Sequence, residues 1–145
     1  MIAALLLAAA PVGVWGSWGA FRNGAHCYAI AAPARVGAAG RPFASVASRW
    51  GARRGVLFVR LSARRTAAAP VTLSVGERRF TLAGGAGAAR SPDAATDRAI
   101  VAAMRGQRSM SVTAVSARGR PFADTYALPG AATAIDAAAL ACAGR

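Results

Sequence analysis

Several residue types are scarce in this sequence, and their scarcity narrows its function. The 145 residues include no lysine, one histidine (His26), two cysteines and five acidic residues. A lone histidine argues against a structural zinc site, and no Ser/His/Asp, HExxH, Walker or GxGxxG motif is present. The apolar run Ile2–Ala10 has nine residues, whereas a membrane-spanning helix needs about 20. We therefore predict a protein that is not an enzyme, holds no cofactor or metal ion, and has no membrane span in its mature chain.

Alanine accounts for much of the apparent hydrophobicity. Of the 55% of residues that count as hydrophobic, 41 are alanine and only 39 have larger apolar side chains. That number suffices for one modest core, and the length also fits one domain. We assign residues 11–145 to a single β-rich domain.

The apolar run Ile2–Ala10 predicts a secretory signal peptide. It is too short to span a membrane, and it ends in the small residues that a signal peptidase prefers. No positive charge precedes the run, and Pro11 is a poor residue after a cut, so the alternative is a buried N-terminal segment of a cytoplasmic domain. We predict a signal peptide at residues 1–10, with cleavage no later than about residue 16, and a periplasmic or secreted location.

The remaining sequence predicts an α+β fold of mainly antiparallel strands, either a sandwich or a partly open barrel. Hairpins dominate, and the alternation of strand and helix that builds parallel sheets is absent. The turns Asn23-Gly24 and Gly76-Glu77 each separate two apolar segments, which indicates hairpins. Val56–Leu61 has four consecutive apolar residues, which predicts a strand buried on both faces. The other predicted strands are Trp15–Phe21, Cys27–Ile30, Phe43–Trp50, Val71–Val75, Phe80–Leu82, Met110–Ala117 and Phe122–Leu128, and Ala83–Arg90 is predicted to be a loop.

Two helices are predicted. In the first, the start signal is Ser-Pro-Asp at residues 91–93, with serine as the cap and proline at the first helical position, and Gly106 ends the helix. The second runs from Ala131 to Ala141 and carries an apolar stripe that ends at Cys142. This stripe predicts a C-terminal helix packed on the sheet.

The two cysteines, Cys27 and Cys142, are predicted to form a disulfide. In an oxidising compartment such a bridge would join the second strand to the last helix. The alternative is a pair of small buried thiols in a reducing compartment.

One acidic residue differs from the other four. Asp124 is predicted in the middle of a strand, where we expect it to pair with an arginine, whereas the other acids lie at turns or early in helices.

All 18 basic residues are arginine, and the net charge is +13. One interpretation is a surface for nucleic acid or another polyanion. The other is compositional, because arginine replaces lysine in proteins of GC-rich genomes, although that bias does not explain the excess of positive over negative charge. Phe58 and Phe80 lie near the arginines, but the strand pattern assigns both to the core. The candidate polyanion-binding residues are Arg53, Arg54, Arg64, Arg65, Arg78 and Arg79.

Three parts of the chain together suggest a family: Trp15–Phe21 followed by Cys27–Ile30, the helix, glycine and strand of Ala99–Val115, and the closing segment Tyr126–Asp136. In these parts the chain resembles the invasion-associated locus B family of exported bacterial proteins. A second cysteine that family members carry near the opening tryptophans is absent. The resemblance implies a small protein of the periplasm or outer membrane that acts by binding or structure, in some members in host-cell invasion. An envelope polyanion or an envelope or host protein is the implied partner.

Overall fold

The computed structural model describes residues 9–49 and 55–143. Within these residues the chain forms ten strands and two helices. The elements are β1 (Ala10–Trp15), β2 (Trp18–Asn23), β3 (His26–Ala31), β4 (Phe43–Arg49), β5 (Val56–Arg60), β6 (Val71–Val75), β7 (Arg78–Gly84), β8 (Ala88–Arg90), α1 (Ala94–Arg105), β9 (Ser109–Val115), β10 (Pro121–Ala127) and α2 (Ala131–Ala141).

All ten strands belong to one open sheet with the order β1-β2-β3-β4-β5-β8-β7-β6-β9-β10. Every pair of neighbouring strands is antiparallel. The predicted fold class is confirmed: a mainly antiparallel sheet carries one inserted helix, α1, and a C-terminal helix, α2, that packs on the strands β1 to β4.

The sheet curls, so that strands near its two ends contact each other. The buried indole of Trp18 in β2 donates a hydrogen bond from Nε1 to the carbonyl oxygen of Ala127 at 2.8 Å. The outer edge of β10 is covered by the segment after β3, where the amides of Ala34 and Arg35 donate to the carbonyl of Thr125 at 2.8 and 3.1 Å. These bonds satisfy backbone groups that an edge strand would otherwise expose.

The core lies on one face of the curled sheet, where alternate residues of nearly every strand are buried. Helix α2 covers part of this face with Ala131, Ala134, Ile135 and Ala138. These side chains are mostly small, so the helix lies close to the strands. At its start, Gly130 adopts a φ of +89° and lies against the Trp15 carbonyl, which leaves no room for a side chain.

The disulfide that was predicted is confirmed. Cys27 in β3 and Cys142 at the end of α2 are bonded, with their Cα atoms 5.9 Å apart. Both residues are buried. The bridge therefore fixes the C-terminal helix onto the sheet at a separation of 115 residues.

Four predictions about local structure were wrong. Trp15–Phe21 is not one strand, because Gly16 and Ser17 turn the chain between β1 and β2. Ala83–Arg90 is not a loop, since β7 continues to Gly84 and Ala88–Arg90 forms β8. Helix α1 is capped by Asp93, which accepts a hydrogen bond from the Thr96 amide, and not by Ser91.

The fourth error concerns β5, which is buried on one face only. Leu57 and Val59 lie in the core, whereas Val56 and Phe58 are half-buried on the outer face and Arg60 is exposed. Four consecutive apolar residues do not show which face of a strand is covered, and here Phe58 lies outside the core.

Most of the predicted signal peptide, residues 1–8, lies outside the described part of the chain. Trp50, the last residue of the predicted strand Phe43–Trp50, also lies outside it. Residues 10–15 form β1, at one edge of the sheet. Among the described residues, no helix is long and apolar enough to cross a membrane.

Helices α1 and α2 are joined by an ion pair between Arg105 and Asp136. The guanidinium donates two hydrogen bonds to the carboxylate, at 2.6 and 3.1 Å, and the side chains are 44% and 54% exposed. The hydrogen bonds from Arg105 lower the pKa of Asp136 from its ordinary value of 3.8. A lowered pKa stabilises the folded state above that ordinary value, and this contribution is lost as the pH falls through the folded-state pKa.

We expect Arg105→Gln to lower the free energy of unfolding at pH 7 by less than about 1 kcal/mol, because exposed ion pairs are weak. The difference from the unmodified protein should shrink as the pH falls below 3.8 and should also shrink in high salt. Denaturant unfolding at pH 7 and at pH 2.5 measures both effects. A difference that is unchanged at pH 2.5 would show that Arg105 stabilises through packing alone.

Candidate anion-binding cavity

Three segments distant in sequence meet at one end of the sheet and enclose a cavity of about 610 Å³. They are the loop after β3, the segment that follows β5, and the turn between β9 and β10. We call this site the arginine-lined cavity. Its lining residues are Gly37, Ala38, Ala39, Ser62, Ala63, Arg64, Ser116, Ala117, Arg118, Arg120, Pro121 and Phe122.

The buried carboxylate of Asp124 in β10 joins the loop after β3 to the segment that follows β5. Its Oδ1 accepts a hydrogen bond from the Gly37 amide at 2.8 Å and from the Ser62 hydroxyl at 2.5 Å. Its Oδ2 accepts a hydrogen bond from the Ser62 amide at 3.0 Å. Asp124 is fully buried in β10. The prediction that Asp124 pairs with an arginine is wrong, because the groups that donate to this carboxylate are two backbone amides and a hydroxyl.

Backbone hydrogen bonds hold the same segments in register. The Gly40 amide donates to the Ser62 carbonyl at 2.7 Å, and the Ala117 amide donates to the Arg64 carbonyl at 2.9 Å. Within the β9–β10 turn, the Ser116 amide donates to the Arg120 carbonyl at 2.8 Å, and the Arg120 amide donates to the Ser116 hydroxyl at 3.1 Å. The cavity wall is thus built from backbone groups that already have partners.

Three arginines, Arg64, Arg118 and Arg120, line the cavity, and all three are exposed. No acidic side chain belongs to the lining. Within the described part of the chain, the three guanidinium groups form no ion pair and no side-chain hydrogen bond. Guanidinium groups donate in a planar fork that matches carboxylate and phosphate oxygens, so this cluster is suited to an anion.

The remainder of the lining is apolar or small. It includes alanines at positions 38, 39, 63 and 117, together with Pro121 and the edge of Phe122. An apolar wall lowers the local dielectric, which strengthens the attraction between the arginines and an anion. The cavity can therefore hold an anionic group attached to a compact apolar or neutral body.

The structure separates the other arginines that the sequence singled out. Arg65 faces away and donates to the carbonyls of Gly84, Gly85 and Ala69 at 2.7, 2.9 and 3.1 Å, which ties two loops together. Arg78 lies over the Phe80 ring, 5.0 Å from its centroid. Arg79 is exposed and opposite Ser74 in β6. Arg53 and Arg54 lie outside the described residues.

Arg118 and Arg120 are the cavity residues that the sequence did not rank as candidates. Both flank Gly119 in a tight turn, where Gly119 has a φ of +81°. Their spacing of two residues across a turn was the available signal. Their proximity to Arg64 depends on the pairing of two segments more than 50 residues apart, which no local pattern reveals.

Other chemistry-bearing groups do not join the cavity. Tyr126 is fully buried, and its hydroxyl oxygen has no hydrogen-bond partner in the described structure. Burial raises the pKa of the Tyr126 hydroxyl well above its usual range, and the Asp124 carboxylate raises it further. His26 lies on the opposite, outer face, beside Tyr28. Among the described residues, no group of three or more His, Cys, Asp or Glu side chains could hold a metal ion.

Comparison of the chain with models of protein families, with curated proteins and with solved structures gave no match. The resemblance to the invasion-associated locus B family therefore stays a prediction.

Proposed function

We propose that this chain is a small exported protein of the bacterial envelope that binds an anionic ligand in the arginine-lined cavity. The observation that carries the proposal is the convergence of Arg64, Arg118 and Arg120 on one cavity without an acidic residue in its lining. The protein acts by binding, and not by catalysis. The resemblance to the invasion-associated locus B family suggests the envelope as the compartment.

The disulfide supports the compartment. Bridges between buried cysteines persist in the periplasm and outside the cell, whereas cytoplasmic thiols are kept reduced. Cys27 and Cys142 are bonded in this fold, and the bridge closes most of the chain.

The cavity supports the class of ligand. Three forked donors around one space match a phosphate or a carboxylate better than a neutral group. The net charge of +13 adds a long-range attraction for polyanions. We propose phosphate or carboxylate groups of an envelope polymer as the ligand. The alternative ligand, a nucleic acid, would use the same positive charge but would place the protein in the cytoplasm.

The triple variant Arg64→Gln, Arg118→Gln and Arg120→Gln tests the proposal. We expect its affinity for a heparin oligosaccharide, used as a model polyanion, to fall about 100-fold, because each lost charge-assisted hydrogen bond weakens binding severalfold. The plot of log affinity against log salt should also become less steep, since fewer counterions are released on binding. Isothermal titration calorimetry at several salt concentrations measures both effects.

The matched control removes the same charge elsewhere. Arg79, Arg98 and Arg108 are exposed arginines that do not line the cavity, and their joint replacement by glutamine also lowers the net charge by three. We expect this variant to bind heparin no more than about threefold more weakly, since only the long-range field is reduced. Equal losses in the two triple variants would contradict a localised site.

A further inference from the structure

The outer face of the sheet carries a second feature, distinct from the arginine-lined cavity. On β3, β4 and β5 most of the described side chains that point away from the core are aromatic, aliphatic or small and half-buried, apart from the exposed Arg60 at the end of β5. A solvated sheet face ordinarily alternates to polar residues, so an apolar outer face indicates a function.

Side-chain size shapes this face into a trough. The central strand β4 contributes the small residues Ser45 and Ala47. The cross-strand register places Tyr28 and Val56 on either side of Ala47, and Ile30 and Phe58 on either side of Ser45. Large side chains on β3 and β5 therefore form two walls above a low floor. The resulting outer trough is about 430 Å³ and is lined by His26, Tyr28, Ile30, Phe43, Ser45, Ala47, Val56 and Phe58.

Ring contacts hold the walls in place. The Tyr28 ring stacks on Phe21 at a centroid distance of 5.7 Å and lies 5.5 Å from His26. On the other wall, the centroid of the Phe58 ring lies 5.8 Å from that of Phe43. The side chains are thus supported from behind, so the trough exists before any ligand binds.

Positive charge flanks the β5 wall. Arg60 is opposite Phe43, and Arg90 is opposite Phe58. Residues directly opposite in an antiparallel pair lie on the same face, so both arginines are on the outer face, and both are exposed. No acidic residue lines the trough. The lining of the trough is therefore mainly apolar, and among the described side chains two cationic groups lie beside its β5 wall.

We propose that the outer trough binds a single acyl chain with an anionic head group, such as a free fatty acid. The strands β3 and β5 lie about 9.6 Å apart, two strand spacings, and their large side chains narrow the gap to the width of one chain. From His26 to Ile30 the trough runs about 13 Å, which accommodates an acyl chain of medium length. The head group would lie between Arg60 and Arg90.

The lining favours this ligand over a nucleic acid. A single strand of nucleic acid needs cationic groups that follow its phosphates as well as rings on which bases stack. Among the described side chains, the cations nearest the trough are Arg60 and Arg90, both beside the β5 wall, and the floor and walls are mainly apolar. A bilayer surface is also a poorer match, since it would contact a protruding apolar surface rather than the floor of a trough.

Titration with dodecanoate below its critical micelle concentration tests the proposal. We expect the unmodified protein to bind one dodecanoate, and Ala47→Leu to bind it at least 10-fold more weakly, because the larger side chain fills the floor. The double variant Arg60→Gln and Arg90→Gln should also bind about 10-fold more weakly, and it should no longer distinguish dodecanoate from dodecanol. Calorimetry gives the affinities, and NMR shifts at Ser45 and Phe58 locate the ligand.

Thr72→Leu is the matched control, because Thr72 is a half-buried outer-face residue in β6 that does not line the trough. It should leave dodecanoate binding unchanged. If Ala47→Leu does not fold, Ser45→Val replaces it as a smaller change to the same floor. Equal binding by the floor variant and the unmodified protein would overturn the proposal, and so would binding to vesicles or oligothymidylate without binding to dodecanoate.

The two sites share no lining residue. The triple variant of the arginine-lined cavity should therefore bind dodecanoate normally, and the trough variants should bind heparin normally. Failure of one site then leaves the other untouched.

Discussion

Replacing both Cys27 and Cys142 by alanine should lower the free energy of unfolding by about 4 kcal/mol. The bridge closes a loop of 115 residues, and a cross-link over so long a loop removes much of the conformational entropy of the unfolded chain. The native state loses little beyond the bond, because alanine fits where a buried cysteine was. At about 2–4 °C per kcal/mol for a chain of this size, the melting temperature should fall by about 8–16 °C.

Thermal and denaturant unfolding of the double variant, and of the unmodified protein in excess reductant, measure this effect. The two should agree, since each removes the same cross-link. Cys142→Ser alone is a less informative variant, because it leaves a free Cys27 that can form intermolecular bridges. A loss below about 1 kcal/mol would show that helix α2 is held by its packing and that the unfolded chain is compact without the bridge.

The same bond bears on the compartment. If the protein is exported, material recovered from the periplasm of an expressing bacterium should have an intact mass two hydrogens below that of the dithiol form, at a processed N-terminus. A full-length chain with two free thiols would contradict export. It would also predict that the protein works in the less stable, reduced form.

Helix α2 shows what could be predicted from the sequence. It occupies Ala131–Ala141 as predicted, because Pro129-Gly130 interrupts the preceding strand and the apolar residues that follow recur with helical spacing. The disulfide could be inferred for a similarly simple reason, since only one pairing of two cysteines exists. Neither inference requires knowing how the strands pair.

The strand β8 shows why the remainder could not be predicted. Ala88, Ala89 and Arg90 have no alternation, and they become a strand only because β5 and β7 flank them on both sides. The outer trough has the same origin. Whether Phe58 lies in the core depends on which face of β5 the helices and the opposite strands cover. That face is determined by residues that are distant from β5 in sequence.

The sequence predicted only part of the arginine-lined cavity. Arg64 was among the candidates, but its neighbour Arg65 donates to backbone carbonyls of other loops. The other two cavity arginines, Arg118 and Arg120, lie in the β9–β10 turn. Pairs of adjacent arginines were therefore a poor guide to the site. Adjacent residues in an extended segment point in opposite directions, so a pair seldom delivers both charges to one ligand.

Asp124 connects the stability of the fold to this cavity, and Asp124→Asn should lower the free energy of unfolding by about 3 kcal/mol. The carboxylate accepts from the Gly37 amide, the Ser62 amide and the Ser62 hydroxyl. An asparagine amide keeps the shape but replaces one accepting oxygen with a donor. At least one buried donor then loses its partner and faces another donor, and that loss is costly because water cannot reach the site.

Asp136→Asn is the matched control, since it makes the same chemical change at an exposed carboxylate and should cost less than about 1 kcal/mol. Denaturant unfolding compares the two variants. The heparin affinity of Asp124→Asn, measured by calorimetry, then shows whether the loops that carry Gly37 and Ser62 have moved. If they have, we expect Asp124→Asn to weaken heparin binding about 10-fold, although the substitution removes a negative charge and Asp124 does not line the cavity.

The direction of that binding change separates two roles for Asp124. Removal of a negative charge beneath a cationic cavity should by itself leave the cavity more positive, which would strengthen anion binding. Displacement of the loops would weaken it. Weaker binding by Asp124→Asn therefore identifies Asp124 as the residue that positions the cavity, whereas stronger binding would mean that its charge acts on the ligand through space and that the loops stay in place without it.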